Sequence, residues 1–171
     1  MDLISAVKTG NLDIVQKLVE KGSDVSQDND LPLILAARDS YFEIFKYLIE
    51  KGANPQADNN LPFILAARNG DLEMVKFLVN KGIDVQVDDN LALIFAARDN
   101  NYEMLEYLVE KGANVQAQNN LPIKLAARNG NYKIFIYLIN HGADIHADHN
   151  RTSKFIIQSG NVDMLKYLAD L

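Results

Sequence analysis

Four arginines stand at a fixed interval of 30 residues, Arg38, Arg68, Arg98 and Arg128, each followed by an acid or amide at Asp39, Asn69, Asp99 and Asn129. A guanidinium presents a planar fork of donors that can hold both oxygens of a carboxylate. A ladder of such groups on one face would dock an acidic protein segment. The plainer alternative is that each arginine pairs with a nearby carboxylate and serves as a spacer, which suits four identical residues better. A second periodic set is acidic and amide-rich: Asp58-Asn59, Asp88-Asp89, Gln118-Asn119 and Asp148-His149. Those residues suit hydrogen bonding to a polar or basic partner, and equally suit turn formation and solubility.

Other chemistry is poorly supported. His141, His146 and His149 cluster with Asp144 and Asp148, a set with some capacity for a metal ion. They replace Lys, Gln and Asn at equivalent positions in a polar loop, so solvated imidazoles are expected and no metal site. The chain holds no HExxH motif, no phosphate-binding glycine loop and no nucleophile elbow. With Cys 0 there is no thiolate nucleophile and no sulfur-based zinc site. Asp and Glu fall at regular, exposed repeat positions instead of converging on a desolvated cleft. The expectation is a protein that is not an enzyme and needs no cofactor.

Composition narrows the partner class. Net charge is -6 over 171 residues, which disfavours nucleic acid and anionic membrane. No apolar run approaches the ~18 residues of a bilayer span, and MDLISAVKTG lacks a positive leader, so no signal peptide is expected. Tyr47, Phe77, Tyr107, Tyr137 and Tyr167 form an aromatic column. It lies within the apolar pattern of a helix, so packing is expected there and not base stacking.

Elements that position these residues follow from the repeat. AAR recurs at 36–38, 66–68, 96–98 and 126–128, and leucine at Leu18, Leu48, Leu78, Leu108, Leu138 and Leu168, without insertion or deletion. Residues 61–90 illustrate one unit. Pro62 suits the first turn of a helix, and Phe63, Leu65, Ala66 and Ala67 carry that helix to about Asn69. Gly70 permits a reversal. Leu72 to Asn80 reads as a second helix, with Val75, Leu78 and Val79 at helical spacing, and Gly82 as its left-handed cap. Residues 83–90 are too polar for a third helix and read as an extended excursion and turn, Val85 and Val87 alternating with polar neighbours. About one residue in ten is Asn, mostly at turns and helix ends.

Helices this short are unstable alone, so their apolar faces must be buried by stacking unit on unit. The fold expected is all-α: six stacked helix pairs, in units of approximately 1–30, 31–60, 61–90, 91–120, 121–150 and 151–171, joined by short extended turns in a single domain 1–171. Paired alanines permit close approach of neighbouring helices. Terminal units should differ, and they do. Ser5 and Lys17 stand where inner units hold Leu or Phe and an aromatic, Ile156-Ile157 replaces the alanine pair, and Arg151 replaces Leu121. The chain ends just after the second helix of the sixth unit, leaving Phe155 and Ile156-Ile157 as an apolar end.

The unit LPxxLAARNGxLExVKxLVxKGADV resembles the ankyrin repeat. Pro32, Pro62 and Pro122, the AAR core, and GANP, GIDV, GANV and GADI match that family's signature. Three departures stand out. Leu31, Leu61, Leu91 and Leu121 replace threonine, Ile34, Ile64, Ile94 and Lys124 replace histidine, and the period is 30 where 33 is usual. The hydrogen bonding of the missing Thr and His must come from elsewhere, and the Asn and Asp side chains are the candidates. Shortened, Asn- and Ile-rich repeats also look like those of ankyrin proteins of giant DNA viruses. Many viral ankyrin proteins of other groups carry a C-terminal ligase-recruiting motif, and none is expected here because the sequence stops within the sixth unit.

The resemblance implies a protein–protein interaction scaffold that binds through turn tips and first helices. Its candidate contacts are Arg38, Arg68, Arg98, Arg128, Asp39, Asn69, Asp99, Asn129, Asp58, Asn59, Asp88, Asp89, Gln118, Asn119, Asp148 and His149. For a viral source it further implies a host protein as partner and an intracellular, host-cytoplasmic location. A monomer is expected, and the alternative is a structural protein that self-assembles through its terminal repeats.

Overall fold

In the computed structural model, which describes residues 1–170, the described residues are all-α. The chain forms two compact units, Met1–Asp84 and a second beginning at Val85. The first holds α1 (Leu3–Lys8), α2 (Leu12–Glu20), α3 (Gln27–Arg38), α4 (Phe42–Glu50), α5 (Ala57–Asn69) and α6 (Leu72–Asn80). The second holds α7 (Val87–Arg98), α8 (Tyr102–Glu110), α9 (Ala117–Arg128), α10 (Tyr132–Asn140), α11 (Ala147–Ser159) and α12 (Val162–Ala169). In both, odd-numbered inner helices pack on one another and each even-numbered outer helix folds back on its partner: α1, α3 and α5 stack in the first unit, and α7, α9 and α11 in the second.

The second helix of each repeat follows directly from its residues. α6 occupies Leu72–Asn80, as the spacing predicts, and buries Met74, Val75 and Leu78. Asp71 starts it by accepting the Met74 N–H at 3.1 Å, an N-cap that satisfies an otherwise orphaned donor. At its far end Gly82 adopts φ 93°. The Gly82 N–H donates to the Val79 carbonyl at 2.9 Å and the Ile83 N–H to Leu78 at 3.1 Å. That pair of bonds is a Schellman closure, and its left-handed residue is the reason glycine is there.

Alanines set the spacing of the inner stack. Ala36, Ala66, Ala97, Ala126 and Ala127 have at most 2% of their surface exposed. A methyl side chain leaves room for the neighbouring helix, and the leucines Leu48, Leu78, Leu108 and Leu138, all fully buried, fill the space behind. Leu18 and Leu168, in the first and last repeats, are only half-buried. Outer helices lock together through edge-on rings: Phe42–Phe77 at 5.8 Å in the first unit, Tyr102–Tyr137 at 5.5 Å and Phe135–Tyr167 at 5.7 Å in the second. Phe77, Tyr137 and Tyr167 of the aromatic column thus pack between repeats, and all five of its residues are half-buried.

Between repeats the chain departs from the expected extended excursion. After Gly82 only Ile83 and Asp84 lie outside a turn or helix; Ile83 and Val85 are buried, and from Val85 the chain tightens into a turn. Asp88, Asp89 and Asn90 follow one another at φ 51°, 53° and 63°, a turn of left-handed helix that leads into the right-handed part of α7. The Asn90 N–H closes it on the Gln86 carbonyl at 3.1 Å. The same triplet recurs at Asp28-Asn29-Asp30, Asp58-Asn59-Asn60, Gln118-Asn119-Asn120 and Asp148-His149-Asn150. Left-handed backbone costs an ordinary L-residue roughly 1–2 kcal/mol, and Asn and Asp are the non-glycine residues that tolerate it. Thirteen of these fifteen residues are Asn or Asp, the exceptions being Gln118 and His149. The alternation of Val85 and Val87 suggests an extended excursion because hydropathy carries no information on the sign of φ.

At the two ends, Ser5 and Lys17 are exposed, giving the first repeat its polar face. The isoleucine pair of the last repeat divides: Ile156 is fully buried, and only Ile157, 64% exposed, faces solvent.

Two substitutions test these constraints. Asn119→Ala should lower stability by ~1 kcal/mol and Asn119→Gly should leave it nearly unchanged, since only the left-handed φ is at issue. Ala97→Leu should cost ~1–3 kcal/mol through overpacking. Urea denaturation midpoints measure both, and an unchanged midpoint for Ala97→Leu would contradict tight stacking.

Candidate interaction surface

The turn tips divide their work by position. The first two residues of each triplet are exposed at Asp58 and Asn59, Asp88 and Asp89, and Gln118 and Asn119. The third turns inward at Asp30, Asn90 and Asn120, which are 9%, 6% and 7% exposed. Its side-chain oxygen accepts a backbone N–H of the next repeat: Asp30 from Asn54 at 2.8 Å, Asn90 from Asn114 and Asn120 from Asp144, both at 2.7 Å. The donating loop is itself ordered by a local bond, Asn54, Asn114 and Asp144 each accepting the N–H two residues on at 3.0, 2.9 and 2.8 Å. In the second unit, Gln86 and Gln116 add side-chain bonds to the Gly112 and Gly142 carbonyls at 2.9 and 2.6 Å. Sequence reasoning passes over the third position as one more polar turn residue. The available signal is its restriction to Asp or Asn at one phase.

The arginine column splits in two. Arg38 holds Asp39 through Nε and Nη2, both at 2.8 Å, and Arg98 holds Asp99 at 2.7 and 2.6 Å. Each guanidinium keeps its carboxyl below the usual carboxylate range. Arg68 and Arg128 are followed by Asn and have neither a hydrogen bond nor an ion pair among the described residues. Their asparagines reach back instead: Asn69 Nδ2 donates to the Arg38 carbonyl and Asn129 Nδ2 to the Arg98 carbonyl, both at 2.8 Å. Within each unit one arginine is therefore closed and the next is open. All four side chains lie on exposed helix ends.

Asp148 is the exception among the tip residues. Lys124, only 7% exposed on α9, places Nζ 3.1 Å from Asp148 Oδ2, and Arg151 Nη1 lies 3.4 Å from the same oxygen. Lys124 and Arg151 together hold the Asp148 carboxyl below its ordinary 3.8. Asp148 thereby balances a buried ammonium where the preceding repeats place isoleucine.

The histidines do not converge. His141 stacks on Tyr137 at 4.0 Å, His146 Nδ1 meets Asn150 Oδ1 at 3.1 Å, and His149 sits in the left-handed turn. Among the described residues no group of three or more His, Asp or Glu is placed to hold a metal ion. No helix among them is long and apolar enough to cross a membrane.

Comparison with known families fits this geometry. The family described as ankyrin repeats (3 copies) matches residues 3–89 and 86–149. The chain belongs to the ankyrin-repeat family. No curated protein matches it. Ankyrin repeats are non-enzymatic scaffolds that mediate protein–protein interaction. In this member the Asp or Asn at the third position of the turn ties one tip to the next through the inter-repeat bonds of Asp30, Asn90 and Asn120.

The Lys124–Asp148 pair gives a test. Removing one partner of a buried pair strands the other, whereas a hydrophobic replacement of the buried member is tolerated. Asp148→Ala should therefore destabilise more than Lys124→Ile, which restores the residue found at Ile34, Ile64 and Ile94. Because the folded-state value of Asp148 is depressed, its contribution is complete above the ordinary 3.8 and is lost as pH falls through the lowered value. Thermal midpoints taken from neutral to strongly acidic pH should fall less steeply for Asp148→Asn than for the parent. Parallel curves would show that the pair contributes nothing.

Proposed function

We propose that this ankyrin-repeat chain binds a protein partner through the exposed turn tips and the adjoining ends of the inner helices. One observation carries the reading. The residues free to make contacts, Asp58, Asn59, Asp88, Asp89, Gln118, Asn119 and His149, vary between repeats, while the third residue and the alanines behind them are committed to the stack. Varied side chains on a rigid support are presented with little ordering cost on binding. Arg68 and Arg128 belong to that surface as open cations. Asp39, Asp99, Asn69, Asn129 and Asp148 contribute mainly by holding their neighbours. The unbroken 30-residue phase supports taking 1–171 as one repeat domain. Repeat length and the surplus of Asn and Ile favour the short-repeat ankyrin proteins of giant DNA viruses, with a host protein as partner in the host cytoplasm.

A second reading rests on α11 and α12, which expose Ile157, Val162 and Leu165 at 64%, 62% and 36%. Exposed apolar side chains on the last helix pair favour association, and the alternative role is self-assembly through this end.

Affinity capture from the natural host with the full chain as bait is the direct test, and retention of no protein would overturn the scaffold reading. Arg68→Glu should reduce capture of the partner and leave the denaturation midpoint unchanged, whereas equal loss in both would assign the arginine to structure. Sedimentation over a concentration range should show a monomer, and a concentration-dependent dimer would favour assembly.

A further inference from the structure

Cations on the inner helices of the second unit are unevenly matched. Between α9 and α11 lies an open cleft of about 240 Å³ lined by Leu121, Lys124, Leu125, Arg128, Arg151 and Phe155. Three of these six residues are cationic, and the carboxylate beside them is Asp148, drawn in by Lys124 at 3.1 Å and touched by Arg151 at 3.4 Å. Arg128 has no intramolecular partner among the described residues. Elsewhere in the same unit the sequence closes the arginine of this column with an adjacent acid, as Asp99 closes Arg98 at 2.6 Å. Here the acid is replaced by Asn129, whose amide is spent on the Arg98 carbonyl. Arg151 adds a second guanidinium at a position held in other repeats by leucine, with its side chain 61% exposed.

The rest of the cleft is apolar. Leu121, Leu125 and Phe155 are half-buried, so each shows part of its surface, and the Arg151 guanidinium lies 5.9 Å from the Phe155 ring centroid. Arg128, which has no partner among the described residues, and Arg151, held only through Nη1 at 3.4 Å by Asp148 and otherwise exposed, stand beside apolar surface. They match a ligand with two carboxylates and an aliphatic group between or beside them. The cationic cleft is also opposite in sign to the chain as a whole, which carries a formal charge of -6. Such a local reversal steers an acidic ligand to this place and away from the rest of the surface.

From this juxtaposition of Arg128 and Arg151 over Leu121, Leu125 and Phe155, we propose that the cleft between α9 and α11 docks an acidic peptide segment in which carboxylates alternate with aliphatic side chains. The proposal rests on the scaffold reading and names the partner chemistry for one part of its surface. The carboxylates pair with Arg128 and Arg151, the aliphatic side chain covers Leu125 and Phe155, and Lys124 remains with Asp148.

The probe is a fluorescein-labelled Gly-Ser-Leu-Glu-Leu-Glu-Gly-Ser peptide titrated with the full chain by fluorescence anisotropy. Two companion peptides replace both Glu by Gln or both Leu by Ser. Saturable binding is expected for the first, about tenfold weaker binding for each companion, and further weakening as salt rises. Arg128→Gln and Arg151→Gln should each weaken the first peptide about five- to tenfold, the scale of one charge-assisted contact. Lys46→Gln, on the outer helix α4, should change nothing. Both cleft arginines are exposed, and unchanged circular dichroism would confirm that the variants fold.

No saturation by about 1 mM peptide, the floor of specific recognition, overturns the proposal. So does equal affinity for the Gln companion, or full affinity in the Arg128→Gln/Arg151→Gln double variant. The general reading fails separately. If that double variant still captures the partner that the parent captures, the scaffold stands and the acidic-segment assignment falls.

Discussion

Everything in this molecule depends on turning the chain between repeats with three consecutive left-handed residues. A repeat of 30 residues leaves no length for a longer tip, and a run of positive φ is the compact solution. That solution is costly for most side chains, so it dictates residue type. Asn and Asp fill the triplets and account for much of the surplus of Asn in the composition. The same choice then serves a second purpose. A side chain that tolerates positive φ also carries a carbonyl or carboxylate oxygen. At the third position that oxygen reaches the N–H of the next repeat at 2.7–2.8 Å. Conformational need and repeat-to-repeat adhesion are met by one residue.

Once the turn is fixed, the inner helix enters the stack in a set register, and the alanine pair can sit against its neighbour. Ala126 and Ala127 are fully buried for this reason. Where a repeat departs from the pattern, the departure is compensated locally. Lys124 replaces an isoleucine and is met by Asp148 from the following turn. Asn69 and Asn129 replace acids and bond back to the preceding repeat, which leaves Arg68 and Arg128 without their usual carboxylate. Ile157, at an alanine position, stays exposed.

How much of this is legible from residues alone depends on the physical signal involved. Apolar periodicity locates α6 at Leu72–Asn80, and glycine places its Schellman cap at Gly82, because burial and positive φ at glycine both leave marks in composition. The tip at 83–90 is not legible in that way. Alternation of Val85 with polar residues is shared by a strand and by a short extended run entering a turn, and hydropathy does not separate them. The phase-locked Asn at Asn60, Asn90 and Asn120 is the clue that does. The arginine column is legible as a column but not as two classes. Its division follows the following residue, Asp39 and Asp99 against Asn69 and Asn129, a period of two repeats hidden beneath a period of one. Lys124 and Asp148 are 24 positions apart, and nothing local in either residue marks the pairing.

That two-repeat period bears on how a repeat protein separates structure from recognition. Identity at every repeat suggests a structural role, and by that rule the four arginines would all be spacers. The geometry divides them instead. An arginine is a spacer when the next residue supplies a carboxylate, because the bidentate pair satisfies both groups within one helix end. Changing that neighbour to Asn keeps the backbone termination intact and spends the amide on the preceding repeat, so the stack loses nothing. The guanidinium is then available outward, at no cost to the fold. One amide-for-acid exchange, placed outside the core, therefore converts a closed guanidinium into an open one without altering the arginine itself, and it is this open form that the proposed surface uses.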